Sequence, residues 1–205
     1  MSKVSPLVDG LVEAFQCLPG VGPKSAQRMV LHLLERNKNG GLILAKTLEQ
    51  ALESVDKCSK CRIFTESLIC QICSNEKRNK NQICVVESVS DVFAIEQSNE
   101  YMGHYFILHG HLSPIDDIGP DELALDLLFS RARESETEEI ILATNSTLEG
   151  ETTSHFIFDS LKNEQHLKIT KLARGVPLGG ELELSLIHIS EPTRQEAISY
   201  AVFCL

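Results

Sequence analysis

A chain of 205 residues with 19 Lys and Arg against 29 Asp and Glu carries a formal charge of −10, with no Trp, 8 Phe and 3 Tyr. That composition excludes a uniformly basic nucleic-acid binder and a large base-stacking surface, while the length allows one full core plus a small satellite domain. No apolar run is long enough to span a bilayer and the N terminus lacks a signal peptide's charged-then-apolar layout, so a cytoplasmic protein with reduced thiols is expected.

The charge is unevenly spread: residues 1–80 hold 12 basic against 8 acidic side chains, and residues 81–205 hold 7 against 21. Such asymmetry suggests a DNA-facing end and a protein-facing end. In chain order, Leu7, Val8, Leu11, Val12 and Phe15 recur at helical spacing over Pro6 to Phe15. The run Leu18-Pro19-Gly20-Val21-Gly22-Pro23 then precedes a second helix, from Pro23 or Lys24 to about Glu35. Proline suits the first helical position, where its missing N–H costs nothing. Gly20 and Gly22 let the chain turn tightly and expose amides at a positive helix terminus, and Lys24 and Arg28, four apart, share a face beside it. The pattern resembles a helix-hairpin-helix, a device for gripping DNA backbone without reading sequence. Lys24-Ser25 does not make a Walker A loop, since the required glycine spacing is absent and no strand precedes it.

Asn37 to Gly41 reads as punctuation, and a third helix from Leu42 to Val55 leads into Cys58-x-x-Cys61, eight residues, then Cys70-x-x-Cys73. Two such turns this close aim four thiolates at one point, the tetrahedral set that zinc takes. A disulfide pair or a redox dithiol are the alternatives. With four protein ligands no coordination position is open, so the metal is expected to be structural. Cys17, Cys84 and Cys204 are read as packing residues.

Ser74 to Asn81 is polar and reads as a linker. Beyond it strands and helices alternate: strands at Ile83–Val86, Tyr105–Leu108, Ile140–Ala143 and Lys168–Leu172, helices at Asp91–Gln97, Pro120–Arg133 and Phe156–Leu161. The alternation predicts a mostly parallel sheet covered by helices, whose ligands gather at the strands' carboxyl ends. Those ends carry Glu87, the Leu108-His109-Gly110-His111 turn and a loop from Thr144 to Glu151. His109 and His111 lack a third ligand nearby and read as loop and core residues. Ser154-His155 lacks a nucleophile-elbow context. Arg131 and Arg133 end a helix, where cations suit the dipole.

A strand-end glutamate followed by a second strand ending near acidic residues resembles a Toprim domain, which holds Mg²⁺ with one Glu and an Asp-x-Asp pair. Here Glu87 stands, but the pair reads Asn145-Ser146-Thr147. Neutral oxygens bind a hard dication less tightly than carboxylates, so Glu149 and Glu151 leave a weak Mg²⁺ site or an acidic surface for a basic partner. The order of hairpin, four cysteines and Ala143-Thr144-Asn145-Ser146-Thr147-Leu148-Glu149-Gly150-Glu151, with the stretches Leu112 to Pro120 and Leu172 to Glu181, resembles the RecR family of bacterial recombination mediators. The resemblance covers about residues 5 to 183.

The resemblance implies an α+β, multi-domain, non-enzymatic DNA clamp, a homo-oligomer from dimer to ring tetramer. It implies work with RecO and RecF at gaps, helping RecA to load in recombinational repair, in the cytoplasm at the nucleoid. The expected divisions are residues 1–56 for the hairpin, 57–80 for the four-Cys element and linker, 81–178 for the Toprim domain and 179–205 for a C-terminal segment. Asp117 stands where the family usually has a small residue. From Leu184 to Thr193 the chain departs from the family, and residues 185–205 read as a non-native terminus. A Mg²⁺-dependent nuclease or primase-like enzyme is the alternative function, and a purely scaffolding zinc protein a third.

Overall fold

Proline opens each of the first two helices, at the position where its fixed φ already matches the helix. The computed structural model describes residues 5–172, and its first compact unit ends at Val55. This unit holds α1 (Pro6–Phe15), α2 (Pro23–Arg36) and α3 (Lys38–Ser54). Ala26 and Val30, four apart on α2, are fully buried, so one stripe of α2 supplies the contact to its neighbours. The third helix begins four residues before Leu42. Asn37 caps it by accepting a hydrogen bond from the Gly40 amide at 3.0 Å, which offsets the helix cost of Gly40 and Gly41, about 1 kcal/mol each. The expected punctuation is a cap and a first turn.

The second unit begins at Asp56 with two short strands, β1 (Asp56–Lys57) and β2 (Phe64–Thr65), paired antiparallel around the first Cys-x-x-Cys turn. The single-turn helix α4 (Gln71–Ser74) carries Cys73. There follow β3 (Asn79–Val86), α5 (Val89–Ser98), β4 (Gly103–Ile107), α6 (Leu125–Ala132), β5 (Glu139–Ala143), α7 (Leu148–Leu161) and β6 (Lys168–Lys171). The last four strands make one wholly parallel sheet in the order β4-β3-β5-β6. The chain reverses its direction of winding beside β3, so the carboxyl ends of β3 and β5 flank the switch point where such sheets bind ligands.

Side-chain alternation divides the core in two. Ile83, Val85, Phe106 and Leu142 face Leu128 of α6 and Ile157 and Leu161 of α7. On the other face, Cys84, Val86, Tyr105, Ile107 and Ala143 meet Val92 of α5 and the four cysteines. Full burial of side chains of this size contributes roughly 1.5–3 kcal/mol each, so the four-Cys element is a cover for the sheet, doing the work that a helix does elsewhere.

Several boundaries differ from the sequence expectations. The linker ends early because β3 starts at Asn79, with a register irregularity before Ile83. The sixth helix is shorter than Pro120–Arg133, since Ala124 takes a left-handed φ of 52°. Helix α7 starts at Leu148 rather than Phe156, because the Thr147 hydroxyl accepts from the Gly150 amide at 3.1 Å and caps it. Asp117 has a φ of 57°, in the turn closed by reciprocal Ser113–Ile118 backbone bonds. That conformation suits glycine best and Asp or Asn next, so Asp117 can hold the turn. Cys84 is buried as expected, whereas Cys17 is exposed and does not pack. Cys204, the stretch 173–181 and residues 185–205 lie outside the described residues. Among the described residues no helix is long and apolar enough to cross a membrane.

Candidate metal centre and nucleic-acid interface

The four-Cys element is built from two turns whose own backbone aims the sulfurs. In the first, the Cys58 amide donates to the Ile63 carbonyl at 2.8 Å and the Arg62 amide to the Cys58 carbonyl at 2.9 Å. In the second, the Cys70 amide donates to Cys58 Sγ at 3.3 Å and the Cys73 amide to Cys70 Sγ at 3.4 Å. All four cysteines are buried and their sulfurs lie within 4.8 Å of one another.

Cys61 Sγ and Cys70 Sγ stand 3.4 Å apart, far beyond the roughly 2.05 Å of a disulfide. The spacing is close to the about 3.8 Å edge of a tetrahedron with about 2.3 Å metal–sulfur bonds, so the residues fit a metal ion. Burial alone would raise the Cys58 thiol, but the amides of Cys61, Cys70 and Lys60 bring it down to about 6. The Cys73 side chain, then burial, pushes Cys61 up, and burial together with Cys61 pushes Cys70 up to about 11. Four thiolates cannot coexist in so small a volume without a cation, and coordination supplies that charge.

At the switch point, Glu87 is buried at the end of β3. Its carboxylate accepts from the Asn145 amide at 2.8 Å and from Asn145 Nδ2 at 2.9 Å, and His111 Nδ1 lies 3.7 Å away. Burial raises its pKa, against the opposing pull of the Asn145 amide. Gly150 closes over this pair: a Cβ there would sit 2.6 Å from Glu87 Oε1 and collide with the Asn145 carbonyl. Glu149 and Glu151 lie in the first turn of α7, not in a loop. Glu151 pairs with Lys171 Nζ at 2.5 Å, and Glu149 is exposed. Among the described residues the four cysteines are the one group of three or more His, Cys, Asp or Glu side chains close enough to share a metal ion.

The remaining titratable candidates are structural. His109 Nε2 lies 2.7 Å from the Arg62 carbonyl. Ser154 Oγ is buried at 2.7 Å from Thr144 Oγ1, while His155 is exposed and faces Asp159. Arg131 is buried, donating to the carbonyls of Lys60 at 2.7 Å and Tyr105 at 3.2 Å, and Arg133 pairs with Glu164. Arg62, buried and bonded to four carbonyls, was not singled out by spacing or composition. Its sole signal in the sequence is adjacency to Cys61.

In the N-terminal unit, Gly20 takes a φ of 77° that favours glycine, and the Val21 amide donates to the Leu18 carbonyl at 3.1 Å to close the turn. Gly22, with φ −83° and ψ 172°, is in extended backbone open to any residue, and it precedes α2 without a capping side chain. The first amides of α2 therefore point outward beside Lys24 and Arg28, both exposed and, among the described residues, in no ion pair. An outward helix N-terminus with two cations one turn apart is chemistry suited to a phosphate.

A glycine-turned helical hairpin, a cysteine metal centre and a parallel sheet with a strand-end glutamate together define a Toprim protein with a helix-hairpin-helix unit. Residues 81–173 match the family model of the Toprim domain, and residues 8–52 match that described as RecR, helix-hairpin-helix. The chain is 52% identical over 179 residues to recombination protein RecR of Saccharophagus degradans, across 87% of this chain and 90% of that protein. It belongs to the RecR family of recombination proteins.

Proposed function

We propose that this chain is a recombination mediator that binds DNA backbone and organises partner proteins without cutting DNA. The observation that carries the reading is the Glu87–Asn145 pair: the carboxylate a Toprim enzyme would turn toward Mg²⁺ is buried and engaged by two Asn145 donors. A neutral amide at this position supports at most weak Mg²⁺ binding. Zinc is the metal that four cysteine sulfurs at this spacing favour, held structurally by Cys58, Cys61, Cys70 and Cys73.

DNA phosphates would meet the Lys24 and Ser25 amides that open α2 after the Gly20–Gly22 turn, together with the side chains of Lys24 and Arg28. Exposed Leu44, Leu48 and Leu52, four residues apart on α3, form an apolar stripe that supports a homo-oligomer, the arrangement a clamp or ring would need. Glu149 and Glu151 would offer the carboxyl edge to a basic surface of RecO, and with RecF the complex would act at gaps to help RecA load. The Lys24→Ala, Arg28→Ala double variant tests the DNA half. Its affinity should fall similarly for all sequences, and the salt slope should drop by about one per lost phosphate contact. Unchanged binding would remove the hairpin as the DNA site, and Mg²⁺-dependent cleavage by the parent, abolished by Glu87→Gln, would favour the enzyme reading.

A further inference from the structure

We infer that Arg62 is a positioning residue through which the four-Cys element sets the conformation of the His109–His111 corner at the carboxyl edge of the sheet. Its side chain is buried, and its backbone holds a left-handed φ of 65°. The guanidinium reaches across to the sheet: Nη1 shares its two hydrogens among the carbonyls of Leu123 at 2.5 Å, Leu108 at 3.0 Å and Ile107 at 3.1 Å, and Nη2 donates to that of Glu122 at 3.3 Å. It also lies 5.9 Å from the centroid of the Phe106 ring. No ion pair to it is formed among the described residues.

The backbone on either side of Arg62 completes the connection. The Cys61 carbonyl accepts from the Ile107 amide at 3.0 Å, the Arg62 carbonyl faces His109 Nε2 at 2.7 Å, and the Phe64 ring packs tilted against that of His109 with centroids 5.4 Å apart. From that corner the Gly110 amide donates to the Glu87 carbonyl at 3.0 Å, His111 approaches the Glu87 carboxylate, and the Leu112 amide donates to Thr153 Oγ1 of α7 at 2.9 Å. Arg62, next to Cys61, thus holds Leu108 and His109, the residues that lead into the Gly110–His111 corner beside the switch-point glutamate.

Two features at Arg62 are costly by themselves. A non-glycine residue in left-handed backbone is strained, and a buried cation without a carboxylate must be satisfied wholly by dipoles. Both persist only while the surrounding structure over-determines them. Coordination supplies that constraint, because drawing Cys58 and Cys61 to one ion fixes the turn that Arg62 closes. Loss of the ion, by chelation or by oxidation of the thiols, removes the clamp, and the corner then loses its guanidinium ties and the His109 contact. The state of the cysteines would in this way be read at the Glu87 edge. The inference rests on the cysteines holding a metal ion and is independent of DNA binding at the hairpin.

The test uses the full zinc-loaded chain, its chelated form, and the variants Arg62→Gly and Arg62→Lys. Glycine keeps the left-handed backbone without strain while deleting the guanidinium. Metal content is measured alongside imidazole ¹⁵N spectra of His109 and His111 and amide exchange by residue. Arg62→Gly should keep its zinc, yet its His109 and His111 signals should move and the Ile107 and Gly110 amides should exchange about tenfold faster, a local opening. Val85 and Leu142, in the β3–β5 ladder, should stay within about twofold of the parent. Chelated parent should move the same His109 and His111 signals, on top of the global stability it loses with the ion, and Arg62→Lys, lacking the planar fork, should fall between the parent and Arg62→Gly. Unchanged His109 and His111 signals, in either the chelated parent or zinc-loaded Arg62→Gly, would overturn the inference. So would equal loss of protection at Val85, Leu142 and Gly110 in zinc-loaded Arg62→Gly, which would make the guanidinium a global staple.

Discussion

The four-Cys cluster and the carboxyl edge of the sheet both gather metal-ligating residue types, and only the first closes around a common point. In the cluster each ligand pair is set three residues apart in a tight turn, and backbone amides hold Cys58 and Cys70 in place. At the edge, Glu149 and Glu151 are two residues apart on a helix, a spacing that sends them to different sides. Glu151 accordingly reaches Lys171, while Glu87 is taken by Asn145. The lesson is that a short-range spacing rule makes a site when the turn that implements it is itself bonded. Carboxylates brought to one edge by topology alone find other partners first.

The largest test of that contrast is Cys61→Ser. Because the binding energy of a structural ion is folding energy, the variant should lose metal and several kcal/mol of stability, read by elemental analysis and thermal unfolding. A zinc-free variant that melts with the parent would make the cluster as dispensable as the edge. Gly150→Ala, at the edge, should cost about 1–3 kcal/mol through overpacking, since the new Cβ meets Asn145 and Glu87. Denaturant unfolding with unchanged zinc content would show that the two regions fail independently.

A smaller effect is expected from Asn145→Asp, which removes one donor to Glu87 and adds a like charge, for a loss of about 1–2 kcal/mol at pH 7. Burial already raises the Glu87 pKa. The folded state therefore holds that proton more tightly than the unfolded chain, and the contribution is present below the unfolded value of 4.5 and lost as pH rises through the folded one. A second carboxylate pushes the folded value further up, so the deficit of Asn145→Asp should shrink on acidification. Millimolar Mg²⁺ should also raise the melting temperature of this variant more than that of the parent. Equal Mg²⁺ responses would show that Asn145 is not what separates the edge from a working metal site.

Much of this was legible along the chain. Proline at the start of α2, the Gly20 turn, the Cys-x-x-Cys pairs and the strand–helix alternation each depend on residues a few positions apart. Such features are decided by local backbone geometry whatever the rest of the fold does. Helix starts at Lys38 and Leu148 were harder to see, because Asn37 and Thr147 cap over residues that read as loop. The family, too, could be recognised from the order of these local motifs, and the comparison with a 52% identical relative agrees.

Tertiary structure alone decided the partners. Glu87 meets Asn145 across 58 positions, Arg62 meets Leu123 across 61, and Arg131 meets the Lys60 carbonyl across 71. The strand order β4-β3-β5-β6 and its register choose which side chains share an edge and which faces they take. Buried polar groups must then bond to whatever that packing brings within reach. Spacing along the chain carries no information about such distant pairings. The sequence therefore determined that four thiols converge and that a hairpin presents Lys24 and Arg28. Only the folded sheet determined that Glu87 is already engaged and that Arg62 ties the four-Cys element to the carbonyls of Leu108 and Leu123.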